Sequence, residues 1–368
     1  MKKQVSIIGA GPSGSYLAYL LARKGWKVNV YEEHPVIGKP VQCTGLISKN
    51  IVKIIPEKGL ENFVINKVNG AVFYSAKQKL ELKTGKLQAF VVDRAKFDQY
   101  LAEKARKSGA NFYLNHKFLS SKTEGRKKVL KLYYKGKIVE KTTDILVGAD
   151  GPLSKVAKSE NMFGKRKFLP AMQARVKGSF ETSHVNVYLG STSPGFFAWV
   201  VPESDKYARL GLASGRNTLE LFRKFSSGFG YQIIDKQAAI IPLYAKVKTQ
   251  KGKTYLLGDA AMQVKPTTGG GIIMGLSAAK MLAISIRTKI PYPLLWKLRI
   301  LPDLKIGRFI RKRMNRFSDE DYDFILKTMS KPNNLALLKK ADMDFPTKLL
   351  FSAVKLIFRE PKILKYLF

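Results

Sequence analysis

At 368 residues, with 45% hydrophobic and 11% aromatic side chains, the chain has core material for one large α/β domain with additions or for two domains, which excludes a small module or a disordered tail protein. Its 66 Lys and Arg against 27 Asp and Glu leave a formal charge of +39, which suits nucleic acid, acidic lipid or a phosphorylated substrate and alone selects none of them. A single cysteine, Cys43, excludes an intramolecular disulfide framework and a multi-thiolate metal site, and three scattered histidines argue against a His-rich centre, so no metal is expected.

Val5 to Ile8 form a β-branched run that reads as a buried strand. Gly9-Ala10-Gly11-Pro12-Ser13-Gly14 follows, then Leu17, Ala18, Leu20, Leu21 and Ala22 at helical spacing, then a second strand from Lys27 to Tyr31 that ends at Glu32. Strand, glycine turn, helix, strand and acid in this order form a dinucleotide-binding unit. Gly9 permits the tight turn, Gly11 lets the backbone approach a pyrophosphate, and Gly14 lets the helix pack on the strand. Glu32, or its neighbour Glu33, accepts from the adenosine ribose.

Further along, Val91-Val92-Asp93-Arg94 leads into an amphipathic helix with Leu101, Ala102 and Ala105 inward, and Arg94 stands at its head. The stretch from Asn111 to Lys141 alternates as a β-meander. Ile145 to Gly148 is another buried strand, followed by Asp150-Gly151-Pro152, where a parallel sheet offers ligand contacts at its strand ends and where a plain turn is equally well built. From Phe168 to Ala213 short alternating segments predict an antiparallel sheet that walls a substrate cavity, with an aromatic run at Phe196-Phe197-Ala198-Trp199. Thr254 to Leu257 is a last short strand, leading to Gly258-Asp259 and then Pro266-Thr267-Thr268-Gly269-Gly270-Gly271-Ile272, whose glycines expose consecutive N–H groups at the start of a long helix.

These separated elements occur in the order seen in the flavoprotein superfamily that contains the aromatic hydroxylases. Gly38-Lys39-Pro40-Val41-Gln42-Cys43-Thr44-Gly45, the Pro194 to Pro202 aromatic segment and Lys265-Pro266-Thr267-Thr268-Gly269-Gly270-Gly271 more specifically resemble the geranylgeranyl reductases, across most of residues 1 to 290. The resemblance implies FAD as cofactor, with Gly9, Gly11, Ser13, Gly14 and Glu32 at its dinucleotide end. Arg94 and Asp150 would support it, Gly258 and Asp259 would lie along its ribityl chain, and Gly269, Gly270, Gly271 and Ile272 would approach the ring. Phe197, Trp199 and Pro266 would line a prenyl cavity; many relatives have tyrosine where Phe197 stands, so no phenolic hydroxyl acts there.

The implied reaction saturates isoprenoid double bonds with a hydride from the flavin and a proton from elsewhere. A dry aromatic cavity tolerates the cationic character that protonation of an alkene creates. Cys43 would lie beside the ring and serve the proton step as donor or organiser, although a thiol of pKa about 8.5 is a weak acid for an alkene. The implied partners are a prenylated lipid or prenyl diphosphate and an electron donor, either NAD(P)H or a ferredoxin-like carrier.

Beyond residue 290 the resemblance fades, but Lys297, Arg299, Lys305, Arg308, Arg311, Lys312, Arg313 and Arg316 are interleaved with apolar residues, a mixture that suits an anionic membrane surface. No apolar stretch approaches the roughly 20 residues needed to span a bilayer, and no secretory leader opens the chain, so a cytoplasmic protein peripheral on the membrane is expected. The organisation expected is an α/β fold: a discontinuous Rossmann-like FAD-binding domain over 1–160 and 250–290, an antiparallel-sheet substrate domain over 161–249, and a basic helical C-terminal region over 291–368. The rivals are an aromatic hydroxylase on the same scaffold and an RNA-binding flavoprotein. For the latter no RNP-type aromatic motif, KH loop or zinc knuckle is present, and no specific nucleic acid partner is expected.

Overall fold

A computed structural model of the chain describes residues 3–367. Its contacts divide into two compact units: residues up to 41, 94–167 and 242–304 form the first, and residues 42–93, 168–241 and 305 onward form the second.

In the first unit, strands Gln4–Ile8, Lys27–Tyr31, Asn111–Tyr113, Ile145–Gly148 and Thr254–Leu256 make a parallel sheet, with Gln250–Lys251 antiparallel at one edge. Val5, Ile7, Val28, Val30, Leu146 and Val147 are fully buried, as continuous apolar runs of a parallel sheet require when both faces are covered. Helix Pro12–Ala22 packs against helices Arg94–Lys107 and Ile272–Thr288. An antiparallel meander of Lys117–Glu124, Lys127–Tyr134 and Lys137–Thr143 adds Phe118, Leu130 and Leu132 to a core with Ile8, Tyr31, Leu146, Val156 and Leu256. The expected α/β, Rossmann-like architecture is therefore present, with its glycine turn at the carboxyl end of the first strand.

The meander is also held by charge. Lys128 and Glu160 are both buried, and the ammonium donates to the two carboxylate oxygens at 2.6 and 2.8 Å. Glu160 further accepts from the Ser121 hydroxyl and, at 3.2 Å, from Thr254, so one carboxylate joins the meander to the sheet. Burial pushes this carboxyl up, but the hydrogen bonds from Lys128, Ser121 and Thr254 and the Lys128 charge outweigh it and hold the group below the usual carboxylate range.

The second unit is built on a seven-stranded sheet in the order Gln232–Leu243, Lys167–Lys177, Tyr207–Ala213, Phe197–Pro202, His184–Tyr188, Gly70–Tyr74 and Lys79–Lys83. Period-two alternation sends Ala174, Val176, Ala198, Val200, Leu210 and Leu212 to one face, where Phe222 of helix Thr218–Ser227 covers them. Their neighbours Gln173, Trp199, Arg209 and Gly211 take the other face. Residues 42–93 contribute the smaller sheet of Leu46–Ser48, Ala89–Val92 and Val64–Val68 and belong to this unit.

C-terminal helix Asp319–Met329 packs Tyr322, Leu326 and Met329 with Leu80, Leu189 and the partly buried Phe73, Val187 and Phe197. Arg311, expected on a lipid-facing surface, is instead only 6% exposed, and its guanidinium lies 4.4 Å from the centroid of the Phe196 ring. The reason is helical phase: on helix Tyr292–Met314, Arg308 and Lys312 turn outward while Arg311 turns in, where burial lowers its pKa to about 10. Among the described residues no helix is long and apolar enough to cross a membrane.

Glu160→Gln is expected to lower stability in urea by about 3 kcal/mol, because it strands the buried Lys128 ammonium. The double substitution Lys128→Met with Glu160→Leu should recover most of that loss. Because the folded carboxyl titrates below its unfolded value of about 4.3, the pair's contribution is full above that pH and is lost as pH falls through the lower folded value. Urea midpoints of wild type and the double variant between pH 7 and pH 3 check this: the wild type should lose stability relative to the double variant only toward the acid end.

Candidate functional site

The glycine turn is fixed by how closely its parts approach. Gly9 has φ +101°, and a Cβ there would stand 2.4 Å from the Ala149 carbonyl oxygen at the end of the neighbouring strand. A Cβ on Gly14 would stand 2.1 Å from the Gly9 oxygen, so only glycine lets helix Pro12–Ala22 sit this close to the strand. Gly11 differs: a Cβ there meets nothing within 4 Å, and no side chain caps the helix start. The turn therefore leaves open space beside Gly11 at the helix N-terminus, where an anion site would lie.

Glu32 reaches across the turn. Its carboxylate accepts from Ala10 N at 2.8 Å and His34 N at 3.1 Å and lies 2.6 Å from His34 Nδ1, whereas Glu33 is exposed. Of the two candidates, Glu32 is thus the one at the turn. The Ser13 hydroxyl lies where a Cβ on Gly258 or Gly275 would come within 2.7 or 2.2 Å of it, so the first helix, the 258 turn and helix Ile272–Thr288 converge on this one side chain.

Arg94, Asp98 and Asp259 form the charged part of the site. Arg94 donates to both oxygens of the buried Asp98 at 3.1 Å. Burial raises the Asp98 carboxyl and the Arg94 charge opposes the rise. Burial likewise pushes Asp259 up to about 6, again against the pull of Arg94. A Cβ on Gly271 would stand 2.7 Å from Asp259 Oδ1, and Gly269 N donates to the Lys265 oxygen at 2.9 Å, so the run Gly269-Gly270-Gly271 folds back over Asp259 just before Ile272 opens its helix. Pro266 is buried in that same turn. Asp150 is locally engaged: its oxygens accept from Ser154 Oγ at 2.6 Å and Val156 N at 3.0 Å, which starts helix Lys155–Ser159.

Two residues absent from the sequence reading hold these turns together. The Arg166 guanidinium donates to the oxygens of Phe163, Pro152 and Ala260 at 2.7, 3.0 and 2.8 Å, which ties the Asp150 turn to the Asp259 turn. Burial lowers its pKa to about 10. Gln263, fully buried, accepts from Gly258 N and donates to the Tyr292 hydroxyl, both at 2.9 Å. Neither sits in a motif; Arg166 lies in a run, Gly164-Lys165-Arg166-Lys167, that reads as solvated surface.

Cys43, Phe197 and Trp199 belong to the second unit, and there they share one face of the large sheet. Phe197 stacks on Phe196 at 4.3 Å and meets Trp199 edge-on at 5.9 Å. Trp199 is paired through Gly211 with Gln173, and a Cβ on Gly211 would stand 2.7 Å from its Cζ2, so the indole lies flat across the missing side chain. Among the described residues its buried Nε1–H finds no acceptor. The Cys43 loop docks on this face: Thr44 Oγ1 donates to Gln173 Oε1 at 2.9 Å, and Arg209 donates to the Cys43 oxygen at 2.5 Å.

The first unit fits a dinucleotide, since the turn leaves no room for larger residues at Gly9 and Gly14 but is open at Gly11. Gly11→Val is accordingly expected to fold but to lose bound flavin, whereas Gly14→Val should fail to fold stably because its side chain meets backbone. Visible absorbance and circular dichroism of the purified variants separate the two outcomes; full flavin in Gly11→Val would show that the pyrophosphate lies elsewhere.

Residues 2–217 match the family described as FAD binding domain. The chain is 29% identical to the digeranylgeranylglycerophospholipid reductase of Thermoplasma volcanium over 75% of its own length and 77% of that protein's. It is 27% identical to digeranylgeranylglycerophospholipid reductase 2 of Methanothermobacter thermautotrophicus over 95% and 98% of the two chains. A solved structure of a geranylgeranyl bacteriochlorophyll reductase-like protein from Thermoplasma acidophilum superposes with a TM-score of 0.83 at 24% identity, covering 95% of this chain and 99% of that one. The chain belongs to the FAD-binding domain family and is an FAD-dependent oxidoreductase similar to the geranylgeranyl reductases.

Proposed function

We propose that this enzyme reduces the carbon–carbon double bonds of geranylgeranyl chains in an isoprenoid ether lipid. The observation that carries the reading is the docking of the Cys43 loop on the sheet face that presents Phe197 and Trp199, in a chain whose relatives carry a lipid reductase name over nearly their whole length. Bound and reduced, FAD supplies hydride. The chain's own residues do the rest. Gly9, Gly11, Ser13 and Gly14 receive the pyrophosphate, and Glu32 faces the adenosine ribose. Arg94 and Asp259 fix the ribityl region, with Asp150 and Gly258 shaping the turns around it, and Gly269, Gly270, Gly271 and Ile272 border the ring.

An isolated trisubstituted alkene has no carbonyl to polarise, so reduction needs a proton at the less substituted carbon and an environment that tolerates positive charge at the other. Phe197 and Trp199 supply an apolar, π-rich wall that excludes water. Cys43 serves the proton step as donor or organiser. The electron donor is NAD(P)H or a ferredoxin-like carrier.

We assign access to the lipid to helix Tyr292–Met314. Leu298 is 72% exposed and Leu294 51%, one turn apart, and Lys297, Lys305, Arg308, Phe309 and Lys312 are exposed along the same helix. Exposed leucines among lysines suit the acyl boundary of an anionic membrane, where each basic residue near the surface adds about 1 kcal/mol.

Flavin-reduced enzyme incubated without oxygen with a digeranylgeranylglycerol phospholipid should yield products heavier by one dihydrogen per saturated bond, read by mass spectrometry. Cys43→Ala should slow this at least about tenfold, a barrier change of roughly 1.4 kcal/mol, with FAD content unchanged. An unreduced lipid together with substrate-stimulated oxygen consumption would support the hydroxylase reading instead.

Sedimentation with liposomes should rise with anionic lipid content and fall with added salt. Reversal of Lys297, Arg308 and Lys312 to Glu should weaken it while sparing turnover of a short detergent-dispersed prenyl substrate. Equal binding to neutral vesicles would remove the electrostatic part of the assignment.

A further inference from the structure

The sheet face that holds the Cys43 loop also buries a charged cluster. Glu203 and Arg209 are 7% and 9% exposed. The Glu203 carboxylate accepts from Arg209 Nε at 2.7 Å through one oxygen and from Arg175 Nε at 2.6 Å through the other. Arg175 is further steadied by the ring of Tyr207, 4.3 Å away. Two guanidinium groups share the Glu203 carboxylate, and the Asp235 carboxylate accepts from Arg175 N at 3.2 Å.

Buried ion pairs of this kind are weak devices for stability, because desolvation offsets most of the attraction and well-packed apolar residues serve as well. The neighbouring residues Ala208 and Leu210 on the opposite face show that this strand is otherwise packed with apolar side chains. What the cluster does uniquely is present a fixed donor: Arg209 spends Nε on Glu203 and Nη1 on the Cys43 carbonyl. Thr44 is anchored beside it through Gln173, whose amide in turn donates to Gln237 at 2.7 Å. Gly45 N lies 3.4 Å from Cys43 Sγ. Backbone and sulfur are therefore held from three directions.

We propose that Arg209, oriented by Glu203, is a positioning residue that sets the Cys43 thiol against the reacting alkene. The proposal deepens the reading above and rests on its assignment of Cys43 to the proton step. In this role Arg209 acts through the loop, by its hydrogen bond to the Cys43 oxygen.

Cys43 is the sole cysteine, so thiol labelling reports this loop alone. In the full-length holoenzyme, Arg209→Met and the milder Glu203→Gln should leave FAD content unchanged, reduce kcat for alkene reduction by about tenfold in the first and less in the second, and speed N-ethylmaleimide labelling of Cys43 several-fold. Arg209→Lys, which cannot serve both acceptors in the fork geometry of a guanidinium, should recover only part of the rate. In a Cys43→Ala background the Arg209→Met loss should disappear. Losses that add in full in the double variant would overturn the proposal in favour of a general effect on the sheet, as would labelling and turnover unchanged in both Arg209→Met and Glu203→Gln. Full turnover in Cys43→Ala alone would sink the chemical role of the thiol, and the labelling rates would still decide whether Arg209 holds the loop.

Discussion

The approach of helix Pro12–Ala22 to the first strand is the constraint on which the cofactor unit depends. With a Cβ at Gly14 only 2.1 Å from the Gly9 oxygen, and one at Gly9 only 2.4 Å from the Ala149 oxygen, helix, turn and neighbouring strand meet backbone to backbone. That closeness aims the helix N-terminus, brings Ala10 N onto Glu32, and sets Ser13 against the Gly258 turn. Parallel strands alone do not locate a phosphate; the glycine contacts shape the carboxyl end of the first strand into a turn that would suit one.

The turns that complete the site come from far apart in the chain, and polar side chains rather than apolar packing register them. Arg166 gathers three carbonyl oxygens, and Gln263 bridges Gly258 to Tyr292. Such bonds are directional, so they fix orientation in loops where burial of apolar area would fix only proximity. Asp259 illustrates the result: a carboxyl raised to about 6 by burial, with the Arg94 charge as its counterweight, is tuned by two elements separated by 165 residues of sequence.

What the sequence reveals follows the range of the forces involved. The βαβ unit was legible because its strand, turn, helix and acid lie within 32 consecutive residues, each with a local periodicity or a steric demand. The choice between Glu32 and Glu33 was not, since it depends on which side chain the strand end turns toward Ala10. Arg311, Lys312 and Arg313 read alike as one basic run, yet helical phase buries the first on Phe196 and exposes the second. Arg166 and Arg209 resemble other cations in a lysine-rich chain, and only tertiary register gives them carbonyls to hold. Residues 42–93 continue directly from the second strand, and nothing in their composition signals that they join the other unit.

The excess charge has a structural side as well. With 27 acidic residues against 66 basic ones, the chain has few acids to place, and several of them go inward. Asp98, Glu160, Glu203, Asp303 and Asp344 are all at least nine-tenths buried, and the first three are committed to Arg94, to Lys128, and to Arg175 with Arg209. Glu160 and Glu203 are not free to move outward, because each holds a buried cation, Lys128 and Arg209 respectively, that would otherwise be stranded in a medium that penalises it by several kcal/mol. The scarce acids thus serve internal registry, and since Lys128 and Arg209 go inward with them, the positive field at the surface follows from the composition of the chain. Under the proposed membrane role, that field would draw the protein toward anionic head groups, and Leu294 and Leu298, exposed beside Lys297, would be the point of insertion.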